Sequence, residues 1–194
     1  MWDLLLRNIS QHVKLSPQEI EIFKSWFSFK TLKRHNYFLC QGDICTHQAY
    51  VIRGCLSVFN TDEKGREHIL QFAMENSWTA DLYSFLTKTP SRYSIECLED
   101  TELLLIERDS LENLYQQCSS VERLFRILFQ NAYVASQKRI IDQLSLSAQE
   151  RYQEFLKNHP QLERRISSYK IASYLGITPE AFSRLRKNMK DKKF

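Results

Sequence analysis

The 194-residue sequence predicts an α+β fold in which a strand-rich first half is followed by helices. Three observations support this fold class. Short runs rich in β-branched and aromatic residues recur between Tyr37 and Ile106, an apolar heptad pattern occupies about residues 120–144, and two short helical patterns flank Gly176. Hydrophobic residues make up 43% and charged residues 26% of the chain, which is typical of a globular protein rather than a disordered one.

The first ten residues, MWDLLLRNIS, contain an apolar stretch too short for a signal peptide and no small-residue cleavage site. No run elsewhere approaches the ~20 apolar residues that a membrane span needs. We therefore expect a cytoplasmic protein with no membrane partner.

An amphipathic helix is predicted from Ser16 to about Phe29. Ser16 suits the N-cap, Pro17 suits the first helical position, and Glu19 lies three residues after Ser16, as in a capping box. The apolar residues that follow repeat at helical spacing: Ile20, Phe23, Trp26 and Phe27.

Strand-like runs recur from Tyr37 to Ile106 at intervals of about 8–12 residues. The runs are YFLC, AYVIRG, CLSVFN, EHILQFA, YSIEC and ELLLIE, and Gly-containing turn signals separate several of them. In the segment TDEKG we expect a hairpin loop in which Gly65 adopts a positive φ. This spacing is typical of an antiparallel sandwich or barrel.

A long helix is predicted over roughly residues 120–144. Five of its apolar residues step by 4, 3, 4 and 3, which is a coiled-coil seam, and we expect them to form a dimer interface. They are Val121, Phe125, Leu128, Ala132 and Ala135. The alternative is a single long core helix. A further helix is predicted to begin after Ser147, with Glu150 completing a capping box, and to end near Pro160.

The segment 166–190, ISSYKIASYLGITPEAFSRLRKNMK, predicts a helix-turn-helix. Ser167 or Ser168 can cap the first helix, Gly176 ends it at a sharp turn, and Thr178 caps the second helix. Small Ala172 allows the two helices to approach closely, and Phe182 and Leu185 are expected to face inward. Four polar residues of the second helix are then expected to face out: Ser183, Arg184, Arg186 and Lys187.

The positive charge of the chain is concentrated in its last quarter. Residues 148–194 contain eleven Lys/Arg against five Asp/Glu, whereas residues 1–147 carry a slight acidic excess. Such asymmetry indicates a nucleic-acid partner for the basic end, and the helix-turn-helix pattern favours double-stranded DNA over a merely solvated surface.

The sequence predicts neither a metal site nor an enzyme. The five cysteines have no CxxC spacing, the five histidines form no HxH pair, and we expect the cysteines to be small buried residues. A nucleophile elbow, a P-loop and an HExxH motif do not occur, so no catalytic residues are expected.

These elements together resemble the Crp/Fnr superfamily of bacterial transcription regulators. FLCQGD at 38–43 looks like the opening turn of the family's β-roll, residues 50–72 look like its central strands, and IASYLGITPEAFSR at 171–184 looks like its helix-turn-helix. The proline in ITPE is similar to that of the Bacteroidetes-type subgroup. The resemblance implies a jelly-roll-like sensor domain related to cyclic-nucleotide-binding domains at 1–118, a dimerisation helix at 119–145 and a winged-helix-type domain at 146–194.

The resemblance also implies which residues contact DNA. Glu180 and Arg184 match positions that reach base edges, with Ser183 beside them, and Pro179 stands where some members have another base-reading Arg. The full expected set is Ser168, Tyr169, Lys170, Thr178, Glu180, Ala181, Ser183, Arg184 and Lys187. The implied partners are double-stranded DNA, a second copy of the chain and RNA polymerase.

The effector pocket departs from the cyclic-AMP-binding members of the family. Those members carry a Gly-Glu pair and, about ten residues later, an Arg for the phosphate, whereas Ala80 and Asp81 stand at the pair and Ser91 at the Arg position. Arg92 lies one position later, on the opposite strand face. The expected pocket residues are Ala80, Asp81, Leu82, Ser91, Arg92 and Tyr93.

The sequence therefore identifies no cofactor or effector, and we expect cyclic AMP not to be one. Two alternatives stay open. One is a regulator that responds to a cyclic nucleotide, and the other is a ligand-binding β-roll that acts through protein partners.

Overall fold

The computed structural model of the chain describes residues 1–191. The strands are β1 (Phe27–Leu32), β2 (Tyr37–Leu39), β3 (His47–Arg53), β4 (Cys55–Thr61), β5 (Glu67–Met74), β6 (Trp78–Thr79), β7 (Ser94–Cys97) and β8 (Thr101–Glu107). The helices are α1 (Trp2–Ser10), α2 (Pro17–Ser25), α3 (Leu82–Thr87), α4 (Arg108–Gln117), α5 (Ser119–Ser145), α6 (Ala148–Asn158), α7 (Leu162–Arg165), α8 (Ser168–Leu175) and α9 (Pro179–Asp191). The last three residues of the predicted 146–194 domain lie outside the described residues.

The strands form two four-stranded antiparallel sheets, ordered β1-β8-β3-β6 and β2-β7-β4-β5. Apolar side chains from both sheets fill the space between them, among them Ala49, Leu56, Val58, Ile95 and Leu103. Helices α1, α2, α4 and the first turns of α5 add to the same core. The result is an antiparallel β-roll with flanking helices, which confirms the predicted α+β fold class.

The predicted helix after Ser16 is shorter than expected. Its capping box is confirmed, because the N–H of Glu19 donates to Ser16 Oγ at 3.2 Å and the N–H of Ser16 donates to Glu19 Oε2 at 2.8 Å. The helix ends at Ser25, however, and Phe27 opens β1, which pairs with β8 along its whole length. The extension to Phe29 is wrong because sheet pairing satisfies the backbone there, while the Phe27 ring still lies 4.6 Å from the Phe23 ring.

The hairpin between β4 and β5 has the predicted turn. Gly65 adopts a φ of +75°, and its N–H donates to the carbonyl oxygen of Asp62 at 2.9 Å. The Asp62 carboxylate accepts the N–H groups of Lys64 and Arg66, both at 2.9 Å. An aspartate at this position therefore closes the loop through its own side chain.

The long helix and the one after it are confirmed nearly to the residue. Helix α5 spans 27 residues, and α6 begins after Ser147, whose hydroxyl accepts the Glu150 N–H at 3.3 Å. None of the helices in residues 1–191 is both long enough and apolar enough to span a membrane.

The helices after α5 share a second core with the outer face of the β2-β7-β4-β5 sheet. The buried residues of this core are Cys55, Phe59, Ile69, Phe72, Leu98, Tyr152, Phe155, Leu162, Ile171, Ala172, Leu175 and Phe182. The described residues after β8 are helices and the loops between them, so the strands of the predicted wing are not among the described residues.

Gly54, between β3 and β4, is the glycine with the least space. Its φ is +105°, and a Cβ there would lie 2.5 Å from Thr101 Oγ1 and 2.9 Å from the carbonyl oxygen of Asp100. We expect Gly54→Ala to lower the free energy of unfolding by more than about 2 kcal/mol, because backbone strain and a backbone clash add.

Gly65→Ala is the matched control for this measurement by chemical denaturation. Gly65 also has a positive φ, but nothing lies within 4 Å of the position of its Cβ. Its cost should stay near 1 kcal/mol, the cost of the left-handed conformation alone. Equal costs for the two variants would contradict the steric argument.

Candidate nucleic-acid interface

Helices α8 and α9 form the predicted helix-turn-helix. Ser167, rather than Ser168, caps α8, since its hydroxyl accepts the Lys170 N–H at 3.3 Å. Gly176 ends α8 in the left-handed conformation, with φ +69°. The Ala181 N–H donates to Thr178 Oγ1 at 3.2 Å, which caps α9. The two helices therefore meet at the turn that the sequence predicts.

The interior of this helix pair is apolar, as expected. Ala172 is fully buried, Phe182 is 1% exposed and Leu185 is half-buried. The Tyr152 ring of α6 meets the Phe182 ring edge-on with 5.0 Å between centroids. This packing fixes which side of α9 faces solvent.

The solvent-facing side of α9 presents a polar surface on which two basic residues, Arg184 and Lys187, accompany one acidic residue, Glu180. Glu180, Ser183, Arg184 and Lys187 are exposed, Ala181 is half-buried beside them, and Thr178 is exposed at the start of the helix. Hydrogen bonds from its own N–H and from Thr178, together with the charge of Arg184, hold the pKa of Glu180 below its ordinary value. Glu180 is therefore ionised at neutral pH and can accept hydrogen bonds.

Arg186 does not face out freely, which corrects the expectation for this residue. It is half-buried, with Nη2 3.5 Å from Glu163 Oε1 on α7, and its Nη1 donates to Ser168 Oγ at 3.2 Å. Helical geometry places residue 186 on the flank of the inward face, next to Phe182, rather than beside Arg184 and Lys187. The positive charge of Arg186 is therefore paired with Glu163 within the protein.

The residues expected at the start of α8 have different environments. Ser168 and Tyr169 are exposed, and Ser168 Oγ accepts a hydrogen bond from Arg186 on α9. The side chain of Lys170, in contrast, is only 15% exposed, and its Nζ lies 3.0 Å from a carboxylate oxygen of Glu67 and 3.0 Å from one of Glu96. The structure thus brings Lys170 to the β-roll rather than to the surface of α9.

The expected effector residues lie around the N-terminus of α3 and hydrogen-bond to one another. Asp81 is 3% exposed, and its carboxylate accepts the Ser84 N–H at 3.1 Å and the Ser91 hydroxyl at 2.7 Å. Ser91 is 4% exposed and also accepts the Tyr93 N–H at 3.0 Å. Ala80, Leu82 and Tyr93 are half-buried around this group, and Arg92 is exposed.

Among the residues expected to line the pocket, no basic side chain is buried. Ser91 occupies the buried position, and Arg92 is exposed to solvent. A buried carboxylate at the helix N-terminus takes the place that an anion would need, so an entering phosphate would meet a negative charge.

Helix α5 has two apolar faces, and the five expected interface residues lie on one of them. Val121 and Phe125 are 0% and 1% exposed in the core of the β-roll, Leu128 is half-buried against that core, and Ala132 and Ala135 are exposed further along the same face. The opposite face carries large exposed residues that the heptad pattern missed: Tyr133, Val134, Ile140, Ile141 and Leu144. The seven-residue spacing of these residues, 133 to 140 and 134 to 141, is the sequence pattern that could have predicted this face.

Two arginines that the sequence analysis missed connect the helices to the roll. Arg165 pairs with Glu75 and Glu99, and Arg139 donates to the carbonyl oxygens of Ile69 and Tyr174. No sequence pattern indicates these pairs, because their partners are up to 90 residues away along the chain.

Residues 29–118 match the family model of the cyclic nucleotide-binding domain. The match runs from within β1 to the residue before α5, so it covers the β-roll and α4. No curated protein sequence matches the chain.

Several solved structures have the same architecture. FixK2 from Bradyrhizobium japonicum matches with a TM-score of 0.75 at 18% identity, over 86% of each chain. The c-di-GMP-responsive global regulator CLP from Xanthomonas campestris matches with a TM-score of 0.71 at 18% identity, over 92% of this chain and 93% of CLP. A regulator assigned to the Crp/Fnr family from Eubacterium rectale matches with a TM-score of 0.69 at 19% identity, over 92% of this chain and 85% of that one.

At these identities the matches establish the fold, which is that of Crp/Fnr-type regulators. A β-roll is followed by a long helix and by C-terminal helices that contain a helix-turn-helix.

The hydrogen-bonded pair of Asp81 and Ser91 predicts that cyclic AMP does not bind. Without an arginine the phosphate loses a charge-assisted pair, and Asp81 adds repulsion, so calorimetry with about 100 μM nucleotide should detect no binding. A dissociation constant below about 1 μM would contradict this interpretation of Asp81 and Ser91.

Proposed function

We propose that the protein is a sequence-specific DNA-binding transcription regulator of the Crp/Fnr type, which acts as a homodimer on an inverted-repeat operator. The observation that carries the proposal is the exposed polar face of α9 with Arg184 and Lys187, held in a helix-turn-helix at the basic end of the chain. The matches to regulators of the same fold support this function over an enzyme.

The chemistry of the α9 face suits the major groove. Arg184 can hold the O6 and N7 atoms of a guanine with two hydrogen bonds, and Glu180 can accept from a cytosine amino group. Ser168, Tyr169 and Lys187 lie nearer the helix ends, where phosphates pass, so they are assigned to positioning on the backbone. Thr178, Ala181 and Ser183 complete the contact surface.

The proposed dimer forms through the exposed apolar face of α5. Residues at 133, 134, 140, 141 and 144 are all more than half exposed, and only uncharged residues lie among them on that face, so two copies of the helix can pack there without burying a charge. This assignment replaces Val121 and Phe125, which the β-roll already buries. Two α9 helices about 34 Å apart would then meet successive major grooves.

The remaining parts of the proposal follow the resemblance. The β-roll of residues 1–118 is the sensor domain with an effector other than cyclic AMP, residues 119–145 are the dimerisation helix, and residues 146–194 bind DNA. RNA polymerase is the proposed further partner and the cytoplasm the proposed location. Pro179 supports the Bacteroidetes-type subgroup.

Selection of binding sites from a random DNA library tests the reading residues. Arg184→Ala should cost about 1–3 kcal/mol on the selected operator and relax the preference at one base pair per half-site, because a bidentate base contact is lost. If the variant selects the same sequence as the parent, Arg184 does not read a base.

Lys187→Ala is the matched comparison in the same assay. Loss of a phosphate contact should weaken binding to all sequences and leave the selected sequence unchanged. The slope of log K against log salt should fall by about one per half-site. A changed sequence preference would assign Lys187 to base reading instead.

The dimer face is tested by Ile141→Glu combined with Leu144→Glu. Two charges on this face should make the dimer dissociate into monomers at micromolar concentration in sedimentation, because both side chains are more than half exposed in the single chain and fold stability does not depend on them. Asn131→Glu with Ser136→Glu adds the same charge to exposed positions off the face and should leave the mass unchanged. A monomeric parent would contradict the proposed dimer.

A further inference from the structure

The C-terminal helices cover the outer face of the β2-β7-β4-β5 sheet in their own chain. Phe72 on β5 lies 5.4 Å, centroid to centroid, from Tyr174 on α8 and 6.5 Å from Phe155 on α6. Phe59, Ile69 and Ile171 belong to the same buried cluster. The helices that carry the DNA-reading face and the β-roll therefore share one hydrophobic core, which we call the seam.

Strand β5 is the edge strand at this seam, and the helices hydrogen-bond to three of its backbone groups. Ser173 Oγ accepts the Ile69 N–H at 3.0 Å and donates to the carbonyl oxygen of Glu67 at 2.6 Å. Arg139 on α5 donates to the carbonyl oxygen of Ile69 at 3.0 Å. An exposed strand edge would otherwise leave these groups to water or to another strand. The bonds fix the position of α8 along β5.

Arg165, at the end of α7, ties the seam to two turns of the roll. Its guanidinium donates to both carboxylate oxygens of Glu75, each at 2.8 Å, and to those of Glu99 at 2.9 and 2.7 Å. Burial acts to raise the pKa of Glu75, but hydrogen bonds from Arg165 and from the Gly54 N–H outweigh it and hold that pKa below its ordinary value. With 21% of its side chain exposed, Arg165 is shielded from the solvent that weakens surface pairs.

Lys170, in the first turn of α8, forms a second cluster of charges at the seam. Its ammonium lies between the carboxylates of Glu67 and Glu96, and Glu96 also lies 2.9 Å from His35 Nδ1. Burial acts to lower the pKa of Lys170, but the two carboxylates outweigh it and raise that pKa above its ordinary value. The ammonium of Lys170 thus stays protonated, and its positive charge is balanced by carboxylates inside the protein.

We infer that Arg165 and Lys170 are positioning residues for DNA reading. Their ion pairs hold α9 in one orientation relative to α5. In a dimer, this orientation sets the separation of the two α9 helices. The inference rests on the proposed function, because this separation matters only when two half-sites are read together. The polar residues on the outer side of α9 are exposed to solvent in this arrangement, so the ion pairs do not block the DNA-reading face.

A rigid seam is needed to orient the DNA-binding helices, because the chain segment between α5 and α6 is short but can rotate about its backbone bonds. Only Leu146 and Ser147 lie between α5 and α6, and their backbone angles alone would let the DNA-binding helices turn. Ion pairs at two separate points, before α8 and within it, act together with the packing and hydrogen bonds of the seam to remove that freedom. Fixed separation raises the effective concentration of the second α9 at its half-site, which strengthens binding to one operator spacing.

The experiment compares two operators built from the sequence that the parent selects. One keeps the selected spacing, and the other is lengthened by about five base pairs, which turns the second half-site by about half a helical turn. The parent should bind the lengthened operator at least about tenfold more weakly. Arg165→Met and Lys170→Met should each bind the selected operator about tenfold more weakly, and their two operators should differ by less than about threefold.

Lys187→Ala is the matched control, since it removes a lysine on the α9 face. It should weaken both operators equally and lower the salt slope, whereas Lys170→Met should keep the slope of the parent, because the Lys170 ammonium is already paired. Affinity for a single half-site should be the same in Lys170→Met, Arg165→Met and the parent.

Hydrogen exchange measures the seam without DNA. The Ile69 amide, which donates to Ser173, should exchange faster in Arg165→Met and Lys170→Met, while the amides of β8 in the other sheet stay protected as in the folded parent. Protection of Ile69 equal to the parent in both variants would overturn the inference.

Three DNA results would also overturn it: tighter binding of the variants to the selected operator, an unchanged dependence on spacing, or a lower salt slope in Lys170→Met. The first would mean that the ion pairs hold an inactive state. All three leave the proposed function standing, because the parent still selects a sequence. A parent that enriches no sequence at all would overturn the proposed function, and the inference with it.

Discussion

The open edge of β5 is the constraint on which the arrangement of the whole chain depends. An edge strand with a buried outer face needs partners for its N–H and C=O groups and for its apolar side chains. Ser173 and Arg139 supply the polar partners, and the rings of Phe155 and Tyr174 cover Phe72. Because these residues come from α5, α6 and α8, one surface of the roll positions the long helix and the helix-turn-helix together. The direction in which α9 faces follows from it.

Helix α5 shows how one helix serves two purposes along its length. Its first turns bury Val121, Leu124 and Phe125 in the roll, which anchors the helix. Beyond about residue 130 the helix leaves the roll core, and its opposite face carries apolar side chains exposed to solvent. Large apolar side chains grouped on one exposed helix face are costly in a single chain, and this cost is the physical reason for assigning the face to a second copy.

The group of residues at the N-terminus of α3 forms a hydrogen-bond network of its own. In the resembling cyclic-AMP-binding members an arginine holds the phosphate, whereas here Asp81 caps α3 and accepts a hydrogen bond from Ser91. A capped helix N-terminus and a satisfied carboxylate stabilise the loop without a ligand. The match to the cyclic nucleotide-binding domain covers the roll, and within it Asp81 and Ser91 hydrogen-bond to each other.

The sequence by itself determined the features whose partners lie within a few residues. The capping boxes at Ser16 and Ser147, the positive φ of Gly65 and the turn at Gly176 depend on local backbone geometry, and all were predictable. The same holds for the strand-rich half and the exposed polar face of α9, which follow from periodicity and composition.

The tertiary structure alone decided the features that depend on distant residues. Phe27 belongs to a strand because β8, about 75 residues later, pairs with it, although its spacing suits a helix. The position of the roll decides which face of α5 is free. It also decides whether Lys170 points to solvent or to Glu67 and Glu96. Ion pairs and packing between residues 66 to 103 positions apart leave no periodic signal, because either partner alone is an ordinary charged or apolar residue.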